Sequence, residues 1–170
     1  MTATDPHVSP PAPARFARPQ IALHWGIALL IILNWWLGDE MRPPRGAGAE
    51  AADWPSAGTY AHVIIGLTIL ALVVWRLVLR LRLGVPPESP RTPGVLATAG
   101  KLSQWAFYVL MILGPIAGAV AWFGGVRPAG GLHETIINAL MILFLLHAAA
   151  ALFHQYVIKD RLLLRMMPGR

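Results

Sequence analysis

The stretch from Gly131 to Tyr156 reads GLHETIINALMILFLLHAAAALFHQY. It is long enough to cross the roughly 30 Å hydrocarbon core of a bilayer as one helix, and its single formal charge is Glu134. It also holds three of the chain's six histidines, His133, His147 and His154. Ionisable side chains inside a membrane span are costly and rare, so each one marks a functional hypothesis. At about 100° and 1.5 Å per residue, the step from His133 to His147 gives a phase error of about 40° and a rise of about 21 Å. These two histidines therefore share one helix face, one near each membrane surface. That spacing suits two stacked cofactors.

The rest of the chain agrees with a membrane setting. Of its 170 residues, 56% are hydrophobic and 13% are charged, against roughly 25% charged in a soluble domain. The formal net charge of +6 does not indicate a nucleic-acid partner, because the basic residues sit at the ends of apolar runs and in one loop. The absence of cysteine excludes disulfides, thiolate ligation, iron–sulfur clusters and covalent c-type haem attachment. Any metal cofactor must rely mainly on histidine.

Four apolar runs predict an all-α membrane protein, a bundle of four transmembrane helices with spans near residues 16–38, 59–83, 99–123 and 131–157. The first run is too long for a signal peptide, ends in Trp35-Trp36 and lacks a small-residue cleavage site. Residues 1–14 read as a disordered Pro- and Ala-rich tail, 15–158 as the transmembrane domain and 159–170 as a basic tail at the membrane surface. Loops at 39–58 and 84–98 are rich in Pro, or in Pro and Gly, and a short GGVRPAGG segment precedes the fourth span. The two termini and the 84–98 loop with its flanks carry eleven of the fourteen Lys and Arg residues, against Arg42, Arg45 and Arg127 on the other side. The positive-inside rule then places both termini in the cytoplasm.

This topology gives each histidine a depth. His62 and His133 fall near the outer surface, and His24 and His147 near the inner one. Each pair draws one histidine from the fourth span and one from another helix, which is how a bis-histidine b-type haem is held inside a bundle. Two axial imidazoles leave the iron no open position, so the expected chemistry is electron transfer. The expected cofactors are two non-covalent haem b groups, one ligated by His24 and His147 and the other by His62 and His133. A ligand set using His154 instead of His133 places the two irons only about 10 Å apart along the helix and leaves His62 without a partner, so the first set is preferred. A structural zinc site would need four ligands in one cluster.

Other residues carry both a functional and a plain reading. Arg76 lies fourteen residues after His62 and would either pair with a haem propionate or snorkel to the inner surface. Arg80 and Arg82 read as topogenic. Trp35, Trp36, Trp54, Trp105 and Trp122 fit interfacial belts, and Gly66, Gly114, Gly118 and Ala148–Ala151 would admit a close helix or a flat porphyrin. Glu134 would either orient His133 or sit in water at the helix start.

The chain resembles the bacterial cytochrome b561 family from Phe16 to its C-terminus. The motifs are ALHW at 22–25, HVIIG at 62–66, WRLVLR at 75–80, GPIAG at 114–118, HETIINALMILFLLHAAAALFHQY at 133–156 and LLRMMP at 163–168. Lys101 and Gln104 stand where the family's third helix often opens with histidines. The resemblance implies a four-helix, two-haem protein of the bacterial inner membrane with ligands at His24, His62, His133 and His147. It also implies electron transfer from a periplasmic donor, with superoxide the leading candidate, to ubiquinone, the activity of a superoxide:ubiquinone oxidoreductase. In it His154 corresponds to a quinone-binding position, and Arg42, Arg45 and Arg127 would attract an anion. The rival readings are a haem b subunit serving a partner dehydrogenase or hydrogenase, and a non-redox membrane scaffold or transporter subunit.

Overall fold

The computed structural model describes residues 15–41, 55–87 and 92–167. His7, Arg42, Arg45, Trp54, Arg91, Arg170 and the first fourteen residues lie outside them. All four apolar runs form long helices, and the described residues contain no strand. They are α1 (Arg18–Trp36), α2 (Ala57–Leu83), α3 (Gly94–Gly124) and α4 (Arg127–Phe153). Each is long and apolar enough to cross a membrane.

Local chemistry explains where the helices begin and end. At the start of α1, Gln20 Oε1 accepts the Ala17 amide at 3.1 Å, the glutamine half of a capping box. At α2, Ser56 Oγ accepts the Thr59 amide at 3.1 Å while Thr59 Oγ1 accepts the Ser56 amide at 3.2 Å. Gly84 ends α2 at φ 71°, a left-handed angle that glycine adopts without steric cost. Helix α3 starts at Gly94, five residues before the expected 99, because Pro93 precedes the first turn, where a missing N–H costs nothing. Helix α4 likewise starts at Arg127 with Pro128 in its first turn, so the expected GGVRPAGG connection shortens to Gly125 and Val126. Polar and proline-containing flanks hide these extra turns from a reading based on apolar content.

Helices α1 and α2, α2 and α3, and α3 and α4 pack side by side, while α4 makes far less backbone contact with α1 or α2. The core is a narrow column of Ile27, Ile31, Ile69, Val73, Tyr108, Met111 and Leu140, drawn from all four helices. Large apolar residues such as Leu29, Ile64, Leu81, Leu145 and Leu146 face outward. An outward apolar shell is unfavourable in water and ordinary in lipid, where helix association relies on packing and small residues rather than on hydrophobic burial.

The bundle end that carries the termini is closed by a folded cap. Helix α4 runs into a π-helical turn, His154–Ile158, and then a short 3-10 turn, Leu163–Arg165. Arg165 is buried and donates to the Pro87 carbonyl at 2.6 Å, and Trp25 Nε1 donates to the Met166 carbonyl at 2.7 Å. Residues 159–167 of the tail thus fold back over α1 and the α2–α3 connection. Lys159 and Arg161 adopt positive φ angles of 58° and 61°. Such backbone costs about 1–3 kcal/mol per residue, and the bonds of the intervening Asp160 offset it.

Candidate functional site

Four histidines meet in two pairs. His62 on α2 faces His133 on α4 with ring centres 6.1 Å apart. His24 on α1 faces His147 on α4 with ring centres 6.3 Å apart. Two imidazoles on opposite sides of one metal ion, at about 2 Å per bond, have ring centres roughly 6 Å apart. Both pairs fit that spacing. Among the described residues no three His, Asp or Glu side chains converge, so the arrangement is two pairs rather than one cluster.

The His62–His133 pair is held by backbone carbonyls. His62 Nδ1 donates to the Asn34 carbonyl at 3.0 Å, and His133 Nδ1 donates to the Gly114 carbonyl at 2.8 Å. A carbonyl can only accept, which leaves the proton on Nδ1 and frees Nε2 of each ring to ligate a metal. The group that orients His133 is therefore Gly114 on α3. Gly118, one turn along, lets the ring in: a Cβ there would lie 3.0 Å from His133 Nδ1. At Gly114 a Cβ would come within 3.2 Å of Ile137.

A cavity of about 800 Å³ opens between these helices, lined by His62, His133, Asn34, Gly66, Gly118 and Trp122 among others. That volume lies within the roughly 300–1,000 Å³ of small-molecule and cofactor sites. The buried Asn34 Oδ1 on its wall has no hydrogen-bond partner among the described residues, as expected of a site whose occupant completes it. Trp35, Trp36 and Trp122 all line this cavity, and Trp122 meets Tyr60 edge to face at 6.2 Å.

The His24–His147 pair has a different frame. Phe107 on α3 stacks edge-on against His147 at 5.3 Å, and Trp25 lies edge-on to His24 at 5.4 Å. His147 is exposed at the protein surface, followed by Ala148, Ala149 and Ala150. An imidazole facing lipid is costly, and a flat group lying on this alanine-lined face would cover it. Arg76 donates to the Gln20 carbonyl at 3.3 Å, and Gln20 in turn donates to the Gly84 carbonyl at 3.1 Å. This ties the end of α2 to the start of α1. The guanidinium keeps further donors for another partner. Arg80 gains a specific contact beyond topology: it donates to Gln104 at 2.7 Å and lies over the Trp105 and Tyr108 rings.

Residues 15–169 match the model of the prokaryotic cytochrome b561 family. The chain belongs to that family. This cytochrome is 45% identical over 155 residues to cytochrome b562 of Cereibacter sphaeroides, covering 91% of this chain and 96% of that protein. It is 31% identical to the probable superoxide oxidase CybB of Yersinia pestis, covering 89% of this chain and 94% of that protein. It is 30% identical to cytochrome b561 homolog 1 of Escherichia coli K12, covering 92% of this chain and 98% of that protein. The cytochrome is thus a multi-pass membrane haem protein of the electron-transport class, and its family carries haem b.

His154 stands apart from both pairs, on the π-helical turn after α4. Its Nδ1 lies 2.5 Å from Asp160 Oδ2. Reading the sequence of this cytochrome did not single out Asp160, Thr92, Asn34 or Gln20. For Asp160 a signal existed, since it is the one acidic residue after Glu134 and lies in a basic tail. For Asn34 and Gln20 none did, because their role lies in contacts between helices.

Proposed function

We propose that this cytochrome carries two haem b groups and moves electrons across the bacterial inner membrane from a periplasmic donor to ubiquinone. The observation that carries this reading is that His133 and His147, at opposite ends of α4, each face a histidine from a different helix. His62 and His133 would hold the outer haem, and His24 and His147 the inner one. Haem bound in this way supplies one-electron exchange between ferric and ferrous iron.

The chain's own residues do the rest. The Asn34 and Gly114 carbonyls fix the tautomer of the outer ligands. Gly66, Gly114 and Gly118 keep side chains out of the space beside them, and the outward apolar residues exclude water. Arg76 is assigned to a propionate of the inner haem, supported by its place one helix layer from His24. The distribution of Lys and Arg supports cytoplasmic termini. His154 would then sit at the cytoplasmic surface, where an imidazole can bond a quinone carbonyl.

Superoxide is the proposed donor, supported by the relative named a probable superoxide oxidase. The purified protein is expected to contain two haems per chain and, without a partner, to reduce ubiquinone steadily when supplied with superoxide. One haem per chain would overturn the paired-ligand assignment. Reduction only with a copurifying dehydrogenase or hydrogenase would replace superoxide by that partner. The lack of a b-type absorption band would leave only the non-redox scaffold.

A further inference from the structure

Three segments meet around one carboxylate at the bundle end that carries the termini. The Asp160 side chain is closed off from solvent. Its Oδ2 accepts from His154 Nδ1 at 2.5 Å and from Thr92 Oγ1 at 2.9 Å, and its Oδ1 accepts from the Leu162 amide at 3.1 Å. Its own amide donates to the His154 carbonyl at 3.3 Å, which locks the turn that aims the carboxylate at the ring. Burial would raise the Asp160 carboxyl, but the bonds from His154, Leu162 and Thr92 outweigh it and hold the group below its ordinary value. An ionised carboxylate can only accept, so Nδ1 of His154 carries a proton. Nε2 makes no hydrogen bond among the described residues, and the His154 side chain keeps 12% of its surface open.

We propose that Asp160, braced by Thr92, is the positioning residue that makes His154 a proton donor to the quinone through Nε2. This rests on the quinone site proposed above. With Nδ1 fixed on Asp160, only Nε2 can exchange protons. An imidazolium at His154 breaks its Nε2–H bond as the quinone oxygen forms an O–H bond. The neutral ring left behind keeps its Nδ1–H on Asp160, and water at the open edge restores the Nε2 proton. One turnover takes two electrons from two superoxide anions, which leave as dioxygen, and two protons from the cytoplasm, and yields one quinol. A buried anion on Nδ1 fixes the tautomer and the orientation of the ring, the role a carboxylate plays behind a catalytic histidine. The π-helical turn that carries His154 is a feature frequently found at functional sites.

The test uses the haem-loaded protein with superoxide and a soluble ubiquinone analogue. Asp160→Asn is expected to lower kcat for quinone reduction by about 10- to 100-fold, to leave KM for quinone within about threefold, and to raise the solvent deuterium isotope effect. Haem content and spectrum should stay unchanged, and Asp160→Glu should restore part of the rate. Thr92→Val should lower kcat less than Asp160→Asn, in the same direction. An unchanged kcat and isotope effect in Asp160→Asn, with His154→Gln impaired, overturns the relay and spares the quinone site. Full activity in His154→Gln overturns the quinone site itself. If Asp160→Asn loses haem, Thr92→Val decides: an unchanged kcat and isotope effect there overturns the proposal.

Discussion

At the scale of single residues, the outer site depends on who holds the imidazoles. His133→Ala should lower the haem content from two per chain to one and remove the outer haem alone, as read by pyridine haemochrome analysis. Loss of the inner haem instead would show that the pairing is wrong. Gly118→Ala is a finer probe, because its Cβ would lie 3.0 Å from His133 Nδ1. Moving a ring that is held by a carbonyl costs about 1–3 kcal/mol, so this variant should load the outer haem poorly. Gly100→Ala, whose Cβ meets nothing within 4 Å, should load normally. The sequence marked Gly118 as a place for a close helix or a porphyrin, but not as the glycine that gives His133 its space, since that role depends on the helix it faces.

At the scale of elements, the cap over the terminal end of the bundle links α1, the α2–α3 connection and the tail. Trp25→Phe removes the bond to the Met166 carbonyl and should destabilise the protein by about 1 kcal/mol, read as a lower melting temperature in detergent. The cap also carries a pH dependence. The Asp160 carboxyl is held below its ordinary value of 3.8, so its contribution is complete above that value and is lost as pH falls through the lower folded value. Cap stability should therefore hold from neutral pH down to about 4 and fall below it, and Asp160→Asn should flatten that acid limb. Limited proteolysis of the tail across pH 3–7 would measure both. The apolar runs foretold the helices, whereas the cap lies in a segment that reads only as a basic tail.

At the scale of the whole molecule, the fold keeps α4 close to α3 and apart from α1 and α2, so that histidines rather than backbones meet across those gaps. Helix α4 is the shared wall of both sites. Its orientation in the membrane can be read by labelling, because the chain has no cysteine of its own. In intact spheroplasts an impermeant thiol reagent should label Ala49→Cys, and should label Arg170→Cys only after permeabilisation. The reverse pattern would turn the molecule over and place His154 on the periplasmic side.

The sequence by itself determined the number of helices, their membrane setting, and that any metal cofactor would rely mainly on histidine. It also determined that His133 and His147 share a face, because helical phase is a local property. Depth along the helices already paired His62 with His133 and His24 with His147, and the structure brings both pairs together. Only the tertiary structure decided that the carbonyls of Asn34 and Gly114 hold His62 and His133. It alone brought Thr92, His154 and Asp160 together. The physical reason is that helix rotation, helix separation and the reversal of the tail come from packing between segments distant along the chain. Hydrophobic periodicity fixes which turn a residue occupies, and not which atom lies across from it.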